Sequence, residues 1–584
     1  MNQCNPENPF KNSSVQDGTA ASPACNSVRW DKYAPIVLAI MASILMIWGL
    51  NNTDLTGHDE PRYAQISREM VEDGDYLVLH LNGQKYSNKP PMYFWLVAAF
   101  STIVGGVNEV SSRMPSALAG VATVLLVYTM GKRMFGARTG FIAGLVLVSS
   151  IYFVLHSRSV HMDLPLTFTV TAMMAAFYVA HERGRAEWWT WPILFLMGAL
   201  GILIKGPAGF IPPLLACAAV SLLTRQRRVW NISILWGIAL FVAVVGVWLA
   251  LLWRHTDSRY VWNIAVTQTL GRVKGEGSHV QPFYFYLQEF PAIFMPWTPL
   301  FCIALVKAGQ RAFHREAGRG LLFVLAWFTV VFISFSVVPT KRTMYLLPVF
   351  PAAALLVAWF LNSLMEGKAA QWAAAAAKWV TALPLLLVAA AAPLALLFLA
   401  WGRLSGDSRA ISIFEDLRRN YVAVSSISIL LCVQGVVGAQ AALRKYWPGV
   451  VTVMMLMCIA AGVFAVFIYF PLANKFSTER NFALKLNEMA GGSEVAVYGE
   501  VPEGVVFYSH RAVKILKTAK AAAAYLNAPG ADPKFCLVWT RDLSQIRDAC
   551  KYPSMLEQIY KEDLPDDELL LLLYLPSVQE PGQP

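Results

Sequence analysis

The feature that most limits what this chain can fold into is the recurrence of long apolar runs. Residues 33–51 (YAPIVLAIMASILMIWGLN), 229–253 and 447–470 are three of them. At 1.5 Å of rise per residue, each can cross roughly 30 Å of hydrocarbon. Lipid offers the backbone no hydrogen-bond partner, so such runs must be helices that satisfy themselves. With 56% hydrophobic and only 15% charged residues, the 584-residue chain holds more apolar surface than a soluble core can hide. The lipid bilayer is therefore its expected solvent.

A net charge of +11 could suggest nucleic acid. The basic residues, however, lie in short clusters between apolar runs: Lys132/Arg133/Arg138, Arg183/Arg185, Arg225/Arg227/Arg228, Lys307 to Arg319, Lys368 and Arg444/Lys445. That is the signature of cytoplasmic loops, and no nucleic-acid partner is expected. Spans at 33–51, 112–130, 139–155, 163–180, 190–205, 208–224, 229–253, 296–307, 320–337, 342–362, 374–401, 420–442 and 447–470 place every cluster on one side, giving about thirteen transmembrane helices. The alternation holds only if residues 91–107 lie in the interface without crossing. The N-terminus is then cytoplasmic, and the opposite face collects 52–111, 156–163, 205–208, 254–295, 338–342, 402–419 and everything after 470. No inverted repeat of the transporter kind is visible.

Three regions follow. Residues 1–32 are polar, lack a secretory signal and read as a disordered cytoplasmic tail. Residues 33–470 form a polytopic α-helical membrane domain. Residues 471–584 alternate a helix near Thr478–Met489 with strand-like runs EVAVYG, GVVFYS, FCLVWT and ELLLLLYL, which predicts a small soluble α/β domain outside the membrane. Cys217, Cys302, Cys432 and Cys458 sit in apolar runs as small hydrophobes. Cys536 and Cys550, in the external domain, are placed where a disulfide would form in an oxidising compartment.

The first external loop, GHDEPRYAQISREMVEDGDYLVLHLNGQKYSNKPPMYFW, is long and patterned. Asp59 and Glu60 precede Pro61 at a helix start, where negative charge is favoured. Tyr63, Ile66 and Met70 give that helix an apolar face, and it should lie on the membrane surface. Taken alone, the acidic pair reads as a helix cap. Asp73-Gly74-Asp75 has the form of a nucleotide-sugar DxD motif, but turn chemistry explains it.

Six blocks change the reading: GHDEPRYAQISREM, LNGQKYSNKPPMYFWL, NEVSSRMPSALAG, IKGPAGFIPPLL, SHVQPFYFYLQEFPAIFMPW and KRTMYLLPVFPA. In this order they resemble the aminoarabinose-transferase and protein-O-mannosyltransferase superfamily, most of all bacterial 4-amino-4-deoxy-L-arabinose (lipid A) transferases. The resemblance runs from about Asp59 to Pro351. It implies the GT-C architecture, a polyprenyl-phosphate-sugar donor, an extracytoplasmic acceptor such as lipid A phosphate, and a place in the bacterial inner membrane.

By that resemblance Asp59, with Glu60 beside it, is the essential acidic position of the first external loop, and Asp163 in HSRSVHMDLP is its partner. Asp163 also reads as a cap for the helix that follows. Arg62, Lys89, Lys205 and Tyr345 resemble donor-phosphate ligands. A lysine in GILIKGPAGF costs on the order of 3 kcal/mol at mid-membrane, so Lys205 either snorkels or meets an anion. Tyr345 reads equally as an aromatic-belt residue. Tyr63, Tyr86, Asn88 and His279 are expected to contact substrate. His279 matches a histidine that can share a divalent cation with a carboxylate preceding the loop lysine. Here that position is Asn88, a poor zinc ligand, so hydrogen bonding is expected of His279 in preference to metal binding.

The expected chemistry is one in-line displacement at the anomeric carbon, with cations stabilising the departing polyprenyl phosphate. Two alternatives stay open: transfer of another sugar, such as mannose, to protein or glycan, and lipid flipping. Flipping predicts charges buried in mid-span, whereas the acidic residues here fall in loops.

Overall fold

The computed structural model describes residues 24–268, 271, 274–275, 279–402, 408–528, 534–550, 556–563 and 568–574. The tail expected at 1–32 lies outside the described residues up to 23. From Ala24 the chain is already helical, so the first span belongs to a longer helix, Ala24–Met46.

Every expected span is helical. Among the described residues nine helices are long and apolar enough to cross a membrane, or ten if the pair Ala137–Val148 and Ile151–Ser157, bent by 67°, is one span. The remaining expected spans coincide with shorter or more polar helices. Ile211–Thr224 starts late because Pro212 and Pro213 follow a 3₁₀ turn at Gly206–Gly209. Thr298–Phe313 carries Lys307 and Arg311 in its second half. The 67° bend falls at Ser149 and Ser150, whose hydroxyls donate back to the carbonyls of Leu145 and Val146 (2.5 and 2.7 Å). Such bonds compete with the helical ladder and bend it.

The long loop at residues 52–111 is an ordered unit with its own core. Its helix Asp59–Asp73 ends at Gly74 in the left-handed conformation (φ 68°). Asp75 then accepts from the amides of Leu77 and Val78 at 3.0 Å, so the DxD-like triplet is a helix-ending turn. A second helix, Met92–Val104, is too short to span; it buries Tyr93, Phe94, Val97 and Ala98 against Tyr63, Ile66 and Met70 of the first. Two arginines tie the end of the first helix and the start of the loop to the bundle. Arg158 donates to the carbonyls of Leu45, Trp48 and Gly49, and Arg113 to those of Leu50, Thr53 and Asp54, all at 2.6–3.0 Å. The carbonyls that a helix end leaves unpaired are thereby satisfied.

The C-terminal domain holds a five-stranded sheet ordered Val513–Leu516, Val495–Tyr498, Lys534–Trp539, Glu568–Tyr574, Leu556–Asp563. The first three strands are parallel and the last two antiparallel additions. The run GVVFYS, expected as a strand, is instead a helix, Glu503–Ser509. A six-residue apolar run buried on all sides carries no period to separate the two states. This one is buried all round: Val505 and Val506 face the domain core while Phe507 enters the core of the first loop. The strands at 513–516 and 556–563 carry exposed polar residues and were not expected. Cys536 and Cys550 are both free buried thiols, not a disulfide.

Candidate active site

Five distant segments meet at one end of the bundle. The Asp59–Asp73 helix starts there, with Asp59 in its first turn. The helix Asp163–Arg183 starts there with Asp163, buried to 2% exposure. The helix Thr190–Lys205 ends there, stopped at Gly206 (φ 76°). Residues 341–345 enter a 3₁₀ turn, and Lys89 comes from the first loop. Asp59, Tyr63, Lys89, His161, Asp163, Lys205, Arg342 and Tyr345 line a tight cleft between them. Its free volume, about 10 Å³, is room for about one water.

The acids and bases of the cleft are paired with each other. Lys205 Nζ donates to Asp163 Oδ1 and lies 3.9 Å from the centroid of the Tyr345 ring. Lys205 therefore meets an anion, and that anion is the protein's own. Asp163 spends its carboxylate on this ammonium besides starting its helix. Arg342 Nη1 donates to Asp59 Oδ2 at 2.8 Å. Burial works to raise the Asp59 carboxyl, but the Arg342 hydrogen bond, the Arg342 charge and those of His161 and Lys89 outweigh it and hold its pKa below the usual carboxylate value.

Other expected site residues lie beside the cleft. Arg62 is one helical turn from Asp59, but its Nε grips both oxygens of Glu503 at 2.9 Å, leaving Nη1 3.7 Å from Asp59. Glu60 turns away: it accepts from Arg113 at 2.8 Å and from the amide of Val160 at 2.8 Å, binding the loop to two neighbouring elements. Tyr86 accepts from the Tyr260 hydroxyl through its carbonyl, and exposed Asn88 accepts from Gln268 (3.3 Å). His279 is exposed, and its carbonyl accepts the amide of Lys341.

These placements bear on a divalent cation. Asn88 offers an amide oxygen already engaged, and among the described residues no three His, Cys, Asp or Glu side chains gather as a metal would need. The donor set does not fit one, so no step is routed through a metal.

Arg342 was not among the expected site residues. A signal for it exists: Lys341 and Arg342 form a basic pair on a loop that the alternation puts with Asp59, opposite the other basic clusters. A pair out of place by the topology rule needs another reason to be there. Glu503, in the C-terminal domain, had no such signal.

Known proteins share the fold and part of the sequence. Residues 88–253 match the family model described as dolichyl-phosphate-mannose-protein mannosyltransferase. The chain is similar in fold to ArnT from Cupriavidus metallidurans bound to undecaprenyl phosphate, with a TM-score of 0.74 and 18% identity over 94% of this chain and 99% of that one. It is 29% identical over 335 residues to an undecaprenyl phosphate-alpha-4-amino-4-deoxy-L-arabinose arabinosyl transferase of Serratia proteamaculans (strain 568). The chain shares the fold of the GT-C transferases. A further match, 30% identical over 330 residues, is an uncharacterised protein of Aquifex aeolicus (strain VF5). These alignments cover 56% and 55% of this chain, and only 64% of the Aquifex and 58% of the Serratia protein. The nine or ten apolar helices among the described residues make this a multi-pass membrane protein, and a five-stranded sheet gives it a small C-terminal α/β domain.

Proposed function

We propose that this chain transfers a sugar from a polyprenyl-phosphate donor to an acceptor outside the cytoplasm, with 4-amino-4-deoxy-L-arabinose as the sugar and a lipid A phosphate as the acceptor. The observation that carries the reading is the convergence of Asp59, Asp163, Lys89, Lys205, Arg342 and Tyr345 on one cleft at a bundle end. A lipid phosphate lies at that depth in a bilayer.

The acceptor oxygen attacks the anomeric carbon from the face opposite the phosphate. The bond from that carbon to the phosphate oxygen breaks, and the phosphate leaves with the electron pair, inverting the centre. Charge on the phosphate grows from about −1 toward −2 as it leaves, and the ammonium and guanidinium groups of Lys89, Lys205 and Arg342 answer that growth. Lys205 and Arg342 are partly neutralised in the resting cleft, so the incoming phosphate must compete with Asp163 for Lys205 and with Asp59 for Arg342. A carboxylate freed in this exchange is placed to act on the acceptor. If the acceptor is a hydroxyl, Asp59 takes its proton. If it is a phosphate, no proton moves, and Asp59 stabilises positive character at the sugar.

Among the expected site residues, Glu60 serves to position the loop through Arg113 and the Val160 amide. The test is mass spectrometry of lipid A and polyprenyl-linked sugars in a strain lacking this chain, complemented with wild type or Asp59→Asn. The wild type should restore one sugar on one acceptor and the variant should not. Restoration by Asp59→Asn, or no sugar lost in the deletion, would overturn the reading.

A further inference from the structure

The C-terminal domain meets the helix that starts at Asp59 through its own helix Glu503–Ser509. Glu503 opens that helix and is nearly buried (7% exposed), and both its oxygens lie 2.9 Å from Arg62 Nε. Around it the domain is docked by contacts that bypass the cleft. Arg480 pairs with Asp54 at 2.9 Å, the Leu55 amide donates to the Tyr508 hydroxyl at 2.7 Å, and Arg68 donates to the Phe507 carbonyl. The domain would therefore stay docked without Glu503, whose contact with Arg62 calls for its own reason.

Arg62 sits three residues after Asp59, a spacing at which side chains on a helix meet. Unrestrained, a guanidinium so placed closes on the carboxylate. It does not do so here: Arg62 Nη1 stands 3.7 Å from Asp59 Oδ1, beyond hydrogen-bond distance, while Arg342 reaches Oδ2 at 2.8 Å. The carboxylate of Glu503 draws the other edge of Arg62 away.

We propose that Glu503 is a positioning residue supplied to the cleft by the C-terminal domain: it holds Arg62 back from Asp59, so that one guanidinium is hydrogen-bonded to that carboxylate and the second waits beside it for an anionic ligand. The inference rests on the transfer reading for its purpose, but the positioning itself can be tested with no substrate. A domain with no catalytic motif of its own thereby sets how much positive charge Asp59 feels.

The groups facing Asp59 are Arg62 and Tyr63 from its own helix, Lys89 from the loop, His161 and Asp163 from the following segment, and Arg342. The full chain in detergent is treated with a carbodiimide and an amine across a pH series, and modification of Asp59 is read by peptide mass spectrometry. Carbodiimide attacks the protonated carboxyl, so the midpoint reports the proton affinity of Asp59. In Glu503→Gln, Arg62 closes on Asp59 and disfavours protonation. Labelling at the wild-type midpoint pH should fall about twofold or more, equivalent to a shift of roughly half a pH unit or more.

Removing the Glu503 charge also acts on Asp59 directly, so the pair Arg62→Gln and Arg62→Gln/Glu503→Gln measures that part alone. The Glu503→Gln effect should be at least about twice as large with Arg62 present as without it, the excess being the coupling between the two sites. Arg480→Ala, which loosens docking elsewhere, should leave the midpoint where it is. An unchanged or raised midpoint in Glu503→Gln, an equal shift in both backgrounds, or the same shift from Arg480→Ala would each overturn the proposal. A chain that labels as expected yet moves no sugar would overturn the transfer reading and leave the positioning intact.

Discussion

Arg342 and Asp59 are 283 residues apart in the chain, and in the structure Arg342 Nη1 lies 2.8 Å from Asp59 Oδ2. This pair closes the cleft between the loop at residues 52–111 and the turn that begins at Thr343. Arg342→Gln removes one cation from the group proposed to meet the leaving phosphate. Loss of one such preorganised donor lowers rate by about 10²–10³. The side chain is one-third exposed, so thermal stability should hardly change. Sugar transfer in proteoliposomes, paired with a melting curve in detergent, checks this; full activity in the variant would remove Arg342 from the site.

Lys205 and Asp163 are both nearly buried, at 8% and 2% exposure. Removing one partner leaves a buried charge without compensation, which costs about 3–5 kcal/mol. Lys205→Met and Asp163→Leu should each lower the melting temperature markedly, and the double variant should recover much of the loss while remaining inactive. Additive losses in the double variant would show that the two groups are not coupled.

Glu60 and Asp59 are adjacent yet should behave oppositely. Glu60→Ala strands the buried Arg113 guanidinium and the Val160 amide, so it should cost on the order of 3 kcal/mol and lower the yield of folded protein. Asp59→Asn should fold normally and fail in transfer. A Glu60→Ala protein with wild-type stability would contradict the anchoring role.

Glu479 gives the C-terminal domain a pH dependence of known sign. Burial pushes its pKa up to about 7, against donation from the amides of Val505 and Gly504. The folded domain therefore holds this proton more tightly than the unfolded chain does, where the value is 4.5. Its stabilising contribution is full below the unfolded value and is lost as pH rises through about 7. Glu479→Gln should flatten the decline in domain stability between these values, read by hydrogen exchange of the strand Val495–Tyr498. The same decline in the variant would assign it to other groups.

Legibility along this chain followed the range of the forces involved. The spans were readable because hydrophobic length is a local property. Where helices are shorter than expected, as at Ile211–Thr224, prolines and polar ends moved the boundaries. Asp59, Lys89, Lys205, Tyr63 and Tyr345 were found through the ordered blocks, Asp163 through HSRSVHMDLP, and all six line one cleft. Tyr86, Asn88 and His279 share those blocks but lie outside it, since a block records neighbourhood in sequence and says little about the direction of a side chain.

The sequence by itself determined that the chain crosses a bilayer repeatedly and that its polar loops carry an acidic helix start. It also placed a separate α/β domain at the end, because length, period and charge are written residue by residue. Only the tertiary structure decided which acid meets which base. Lys205 was given to Asp163, Arg342 to Asp59 and Arg62 to Glu503, partnerships set by how helices from distant segments pack. In a low-dielectric end of a bundle, a buried charge is stable only with such a partner within a few ångströms.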